Sequence, residues 1–168
     1  VIGLAIGAGY ILYLINNPTS PLETIKLNEA DGVSITYSRP YKKDRLIFGN
    51  GSDEALVPFD NYWRTGANYS TDFSASKNIN FGGKELIAGK YWLYTIPNQS
   101  SWKVFLNEED GSFGFFEPDK TKDILEIEVS SRSLENSIEQ FTIDFVENES
   151  KLYLRLRWDT TEISIPIE

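Results

Sequence analysis

Hydrophobic and polar residues alternate with a period of two along most of the chain. Val33, Ile35 and Tyr37 fall on one side of an extended backbone, and Ser34, Thr36 and Ser38 on the other. Tyr69, Thr71, Phe73 and Ala75 form such a set, as do Tyr91, Leu93 and Thr95 against Trp92, Tyr94 and Ile96. Further along come Leu125, Ile127 and Val129, then Phe141, Ile143 and Phe145, then Leu152, Leu154, Leu156 and Trp158, and last Ile163, Ile165 and Ile167. Successive side chains of a strand point to opposite faces, so each set predicts an antiparallel strand with one face in the core and one in water. Turn signals separate the runs: Gly82-Gly83, Pro97-Asn98, Asp110-Gly111, Pro118-Asp119 and Glu147-Asn148-Glu149. Strands at such spacing predict an all-β fold, an antiparallel β-sandwich of about eight to ten strands. The single helical pattern within this region is a short one from Ser133 to Ile138.

The alternation stops at the amino-terminal end. Val1 to Ile15 read VIGLAIGAGYILYLI, apolar and glycine-rich on every face. As a helix these residues reach about 22 Å, against the ~30 Å of a bilayer core, which about 20 residues span. A few more apolar residues ahead of Val1 would complete a span. A signal-peptide core, a buried core helix and an uncleaved membrane anchor are the three readings of this run. The anchor is the one taken here as the expectation. Gly3 and Gly7 make a G-x-x-x-G pair, with Ala5 and Gly9 repeating the small-x-x-x-small spacing that lets helices approach closely in lipid. Tyr10 and Tyr13 sit near its end, where interfacial aromatics are enriched. Residues 16–22, NNPTSPL, are polar and carry two prolines, which predicts a semi-extended tether. The expected organisation is an anchor helix over 1–15, a tether over 16–22 and a β-domain over 23–168.

Charge sharpens that division. The 168 residues hold 16 Lys and Arg against 25 Asp and Glu, a net −9, and none of these charges precedes Glu23. An acidic chain argues against a nucleic-acid partner. His and Cys are both absent, which removes disulfides, histidine or thiolate metal sites and every His- or Cys-based nucleophile system. Asn107-Glu108-Glu109-Asp110-Gly111 has the look of a calcium loop, but its first ligand position would be Leu106, so it is read as a turn. No G-x-S-x-G element is present. The expectation is a non-catalytic protein without metal or cofactor.

Three stretches are less generic than strand alternation: SRPYKKDRLIFG from Ser38, LVPFDNYWRTGANYST from Leu56 and GKELIAGKYWLYTIP from Gly83. With Trp102-Lys103-Val104 and Leu156-Arg157-Trp158, and above all with the W-R-T-G-A-N run at Trp63–Asn68, the chain resembles domain-of-unknown-function family 2911, uncharacterised bacterial envelope proteins. The resemblance covers roughly Leu22 to Ile167 and implies an exported all-β domain with no assigned activity. It also implies a cleaved signal in the usual member, from which this chain departs by keeping its apolar start. Residues 50–55, NGSDEA, are an insertion relative to members that pass straight to the L-V-P element.

Two clusters carry candidate chemistry. Arg64 beside an indole has the fork that grips a carboxylate, Gly66 admits close backbone approach and Asn68 can orient a ligand. Arg39, Arg64 and Asn68 with an aromatic wall of Tyr62, Trp63 and Tyr91 would bind a small acid or sugar. The same residues also read as structure: Trp63 in the core, Arg64 ion-paired to a loop carboxylate, and Gly66-Ala67-Asn68 a turn. The second cluster is the basic island Arg39, Lys42, Lys43 and Arg45. It reads either as a contact for lipid headgroups or an acidic partner, or as a solvated loop around Asp44. Asp159-Thr160-Thr161 resembles a short bacterial O-glycan site at Thr160, and an ordinary turn accounts for it equally.

The function expected is an accessory subunit of a bacterial membrane assembly, single-pass, with its β-domain in the periplasm. An integral-membrane partner would pack on Gly3, Ala5, Gly7 and Gly9. A ligand-binding module built around Arg64 is the alternative.

Overall fold

The computed structural model describes residues 19–27, 32–109 and 116–168. The strands within them are β1 (Leu22–Lys26), β2 (Val33–Ser38), β3 (Phe48–Gly49), β4 (Val57–Pro58), β5 (Thr71–Ala75), β6 (Ile79–Phe81), β7 (Lys84–Leu86), β8 (Gly89–Pro97), β9 (Ser101–Asn107), β10 (Asp123–Asn148) and β11 (Lys151–Ile167). Nine of them form one sheet in the order β1-β2-β5-β8-β9-β10-β11-β6-β7, antiparallel throughout, while β3 and β4 make a short parallel ribbon. The chain is all-β, as the alternation predicts. The apolar run, with Gly3, Ala5, Gly7 and Gly9, lies outside the described residues. Among those described, no helix is long and apolar enough to cross a membrane.

The long strand β10 lets one sheet fold over on itself. Its first part, residues 123–130, pairs with β9, and from Ser131 onward it pairs with β11. The two halves of the sheet then meet face to face. Tyr37 on β2 packs edge-on against Phe141 on β10, with ring centroids 5.6 Å apart. Its hydroxyl accepts the Ile143 N–H at 2.8 Å and donates to Glu23 at 2.9 Å. Phe73 on β5 meets Phe81 on β6 at 5.2 Å. The inward sets of the alternation are the core: Val33, Ile35, Tyr37, Phe73, Leu93, Phe141, Ile143, Leu154, Leu156, Trp158, Ile163 and Ile165 are all buried.

Two expectations are corrected. Residues 133–138 are not helical but part of β10. Leu134 and Ile138 sit four apart, which imitates a helical face. The pairing with β11 shifts register between Ser133 and Ile138 and again between Ile138 and Thr142, and such bulges break the strict period of two. The second correction concerns β8 and β9, which have no fully wet face. Trp92, Tyr94 and Phe105 are buried on the outer side as well, under Tyr62 and Ile96. Tyr94 and Phe105 stack at 4.7 Å with their planes 4° apart, a cross-strand pair of the kind that stabilises sheets.

The connection from β2 to β5 carries two of the three less generic stretches, and it lies across one end of the core. Ile47 and Val57 are buried within it. Phe48 packs on Trp63, Trp102 and Trp158, at 5.7, 5.0 and 6.3 Å respectively. Within residues 50–55 a 3-10 turn forms over Gly51–Asp53. The Asp53 carboxylate accepts the Asn50 N–H at 2.9 Å and the Asn50 amide at 3.1 Å, and these bonds hold it below the usual carboxylate pKa.

Candidate functional site

The W-R-T-G-A-N run folds into a turn fastened by its own side chains. Trp63 bridges to β8 through paired backbone bonds with Thr95, at 2.8 and 3.0 Å. Its indole is core, 6 % exposed, and stacks on Trp158 at 5.9 Å. The indole N–H reaches forward to the Gly66 carbonyl at 3.1 Å. Thr65 is fully buried at φ +57°, a left-handed conformation that a β-branched residue seldom adopts. Its hydroxyl lies 3.1 Å from that of Thr95, and its carbonyl accepts the Thr71 hydroxyl at 2.7 Å. Gly66 has φ +154°, and a Cβ there would come within 2.8 Å of the Ser38 carbonyl oxygen. Only glycine suits that position. Arg64 closes the turn by donating to the Asn68 carbonyl at 3.1 Å. Among the described residues no carboxylate pairs with Arg64.

A second turn faces the first. Lys43 and Asp44 have φ +50° and +57°, the left-handed pair of a type I′ turn, and Arg45 N–H bonds the Lys42 carbonyl at 3.2 Å. The Arg45 guanidinium folds back on the carbonyls of Tyr41 and Lys42. Between the two turns opens a cleft of about 540 Å³. Lys43, Arg45 and Arg64 line it with Asn68, and Trp63 and Trp158 line its buried side. Thr19 and Ser20, Pro40, Tyr41, Leu56, Val57, Gly66 and Ala67 complete it. Among the described residues no Asp or Glu lines this cleft, although Asp44 sits in the turn between Lys43 and Arg45 and Glu139 accepts the Lys43 N–H at 3.0 Å. In a chain of net charge −9, that segregation makes it a locally positive concavity.

The structure divides the residues singled out from sequence. Trp63, Arg64 and Asn68 meet at the cleft, and Lys43 and Arg45 join them from the basic island. The other expected members lie elsewhere. Arg39 is tied down by Glu23 at 3.2 Å, the Phe141 carbonyl at 3.1 Å and the Thr142 hydroxyl at 3.0 Å. Lys42 pairs with Asp159 at 2.6 Å. Tyr62 packs on Trp92 and Tyr94 on the outer face of the sheet. Burial lifts its hydroxyl above the usual tyrosine pKa, and the Arg64 charge offsets part of that. Tyr91 donates to the Ile87 carbonyl at 2.7 Å, away from the cleft. The six-residue pocket of the sequence reading is therefore not assembled as such. Thr160 is exposed on β11, beside an Asp159 held by Lys42 and by Ser137. No group of three or more acidic side chains gathers to hold a metal ion among the described residues.

Sequence reasoning missed Tyr41, Leu56, Trp158, Thr19 and Ser20 as cleft residues. It also missed the union of the two clusters. The available signal was that SRPYKKDRLIFG and LVPFDNYWRTGANYST, both outside the strand pattern, belong to one long connection, whose non-strand parts have to pack on each other.

The family described as Protein of unknown function (DUF2911) matches residues 20–167. No curated protein and no solved structure matches the chain.

Proposed function

The chain belongs to that family, and from its cleft we propose that the β-domain is a binding module for a small anionic group, a carboxylate or phosphate. One observation carries the reading: Lys43, Arg45 and Arg64 converge on a concavity that no acidic side chain among the described residues lines, although acids outnumber bases by nine over the chain. Arg64 supplies a planar fork for two acceptor oxygens, and Lys43 adds a mobile point charge. The indoles of Trp63 and Trp158 give the ligand's apolar body a rigid backing. Stacking and hydrogen bonds fix both turns before any ligand arrives, so little conformational entropy is lost on binding. The role proposed is recognition.

Titration of the protein with inorganic phosphate, glycerol phosphate, citrate and a uronic acid tests this, with tryptophan fluorescence reporting on Trp63 and Trp158. Saturable quenching by at least one of these anions, weakened by Arg64→Gln, is the expected result. No saturable change with any of them contradicts it.

The uncharged run favours a second, compatible reading. The domain is held at the periplasmic face of a bacterial membrane by residues 1–15, where Gly3, Ala5, Gly7 and Gly9 pack on an integral-membrane partner as part of a larger assembly. Gly7→Leu breaks association in mild detergent if this holds. Unchanged association removes the packing role.

A further inference from the structure

We infer that the cleft's occupant is the headgroup of an anionic phospholipid at the bilayer surface; this rests on the anion-binding reading above and on the apolar run lying in the membrane. Three observations converge on it. The first is reach. Thr19 and Ser20 line the cleft, and only Asn16, Asn17 and Pro18 separate Thr19 from Ile15. Fully extended, that stretch spans at most about 14 Å. A cleft tied so closely to a membrane segment stays within roughly a Debye length or two of the lipid phosphates.

The second is charge. The remainder of the domain is acidic and is repelled by an anionic leaflet, whereas the cleft end presents Lys43, Arg45 and Arg64 without lining carboxylates. These three cations, set against Asp44 and the Glu139 carboxylate that accepts the Lys43 N–H at 3.0 Å, favour turning this end toward the lipid.

The third is the apolar rim. Leu46 and Leu56 are 48 % and 44 % exposed, and they lie side by side, the Leu56 N–H bonding the Leu46 carbonyl at 3.0 Å. Leu46 follows Arg45 directly, and Leu56 itself lines the cleft. Exposed leucines beside cations match a headgroup–acyl boundary, where apolar groups enter the hydrocarbon edge and cations meet phosphate. A freely diffusing acid gives those leucines no partner.

The test uses the full chain reconstituted in nanodiscs, one set of phosphatidylcholine alone and one containing phosphatidylglycerol, with hydrogen exchange read over residues 41–46 and 64–68. Exchange there is expected to be several-fold slower in the phosphatidylglycerol discs. The variant Lys43→Gln/Arg45→Gln/Arg64→Gln is expected to erase that difference, and Leu46→Ser/Leu56→Ser to reduce it, with circular dichroism showing both folded. A third arm adds glycerol phosphate to the phosphatidylcholine discs. Equal exchange in the two lipids overturns the inference. Protection by free glycerol phosphate matching that in phosphatidylglycerol discs also overturns it, while leaving the anion-binding reading standing. No protection in any arm overturns both.

Discussion

The indoles of Trp63 and Trp158 stack with their centroids 5.9 Å apart and their planes 18° from parallel. One ring comes from the connection between β2 and β5 and the other from β11. The pair therefore fixes the floor of the cleft to the sheet rather than leaving it on a free loop. Phe141 and Trp102 close around Trp63 at 4.9 and 5.7 Å, which makes this aromatic cluster at once the end of the core and the backing of the site.

Trp63→Ala removes the keystone of that cluster and leaves a cavity. A loss of roughly 3–5 kcal/mol is expected, a fall in melting temperature of about 10 °C or more for a domain of this size. Thermal unfolding followed at the near-ultraviolet aromatic band measures it. A shift of only a degree or two would show that Trp63 is peripheral.

Gly66→Ala forces a Cβ to within 2.8 Å of the Ser38 carbonyl oxygen at a φ of +154°. Strain and displacement together are expected to cost roughly 2–4 kcal/mol. Gly51→Ala, where nothing lies within 4 Å of the added carbon, is the control and shifts the urea midpoint little. Equal effects of the two changes would contradict the turn geometry.

Alkaline pH exposes a different property. Burial raises the Tyr37 and Tyr94 hydroxyls above the ordinary tyrosine value, and the bond to Asp123 adds to the rise at Tyr94. An unfolded tyrosine titrates near pH 10. The folded state keeps these protons longer, so stability is whole below about pH 10 and falls as pH climbs past it. The loss is at most about 1 kcal/mol per pH unit for each group after allowance for screening. Urea midpoints measured upward from pH 8 should be flat at first and then drop, and Tyr94→Phe should flatten the drop. A midpoint constant beyond pH 11 would refute this.

The hairpin joining β10 to β11 turns through Glu149 and Ser150 at φ +50° and +62°. Both residues carry a Cβ where Asn-Gly is the preferred pair. Glu149→Asn with Ser150→Gly is expected to gain about 1 kcal/mol and to raise the melting temperature by roughly 2–4 °C. Differential scanning calorimetry reads this directly, and a lower melting temperature would contradict the turn type.

The strands were legible because their core faces keep a strict period of two. Ile35 opposite Phe73, and Ile143 opposite Leu156, put apolar residues on one side in both partners. Residues 133–138 were not legible, because register shifts absorb the period there and leave Leu134 and Ile138 at a helical spacing. The second apolar face of β8 was hidden for another reason: Trp92 and Tyr94 are buried by Tyr62, a residue remote in sequence. The site was half legible. Arg64, Lys43 and Arg45 stood out by residue type. That they share one cleft depends on how the connection crosses the core, which no local pattern encodes. Conversely, Arg39 and Lys42 look like their neighbours in the basic island and are consumed by Glu23 and Asp159.

Calorimetric titration of the strongest-binding anion into the wild-type protein and into Arg64→Gln tests the central claim most directly, with Lys84→Gln, a basic residue that does not line the cleft, as reference. Binding at one site is expected, weakened about tenfold or more by Arg64→Gln, in line with roughly 1.5–3 kcal/mol for a charged hydrogen bond, and unchanged by Lys84→Gln. Equal weakening by the two substitutions would show that the anion senses only overall charge, and binding untouched by Arg64→Gln would place it elsewhere on the molecule.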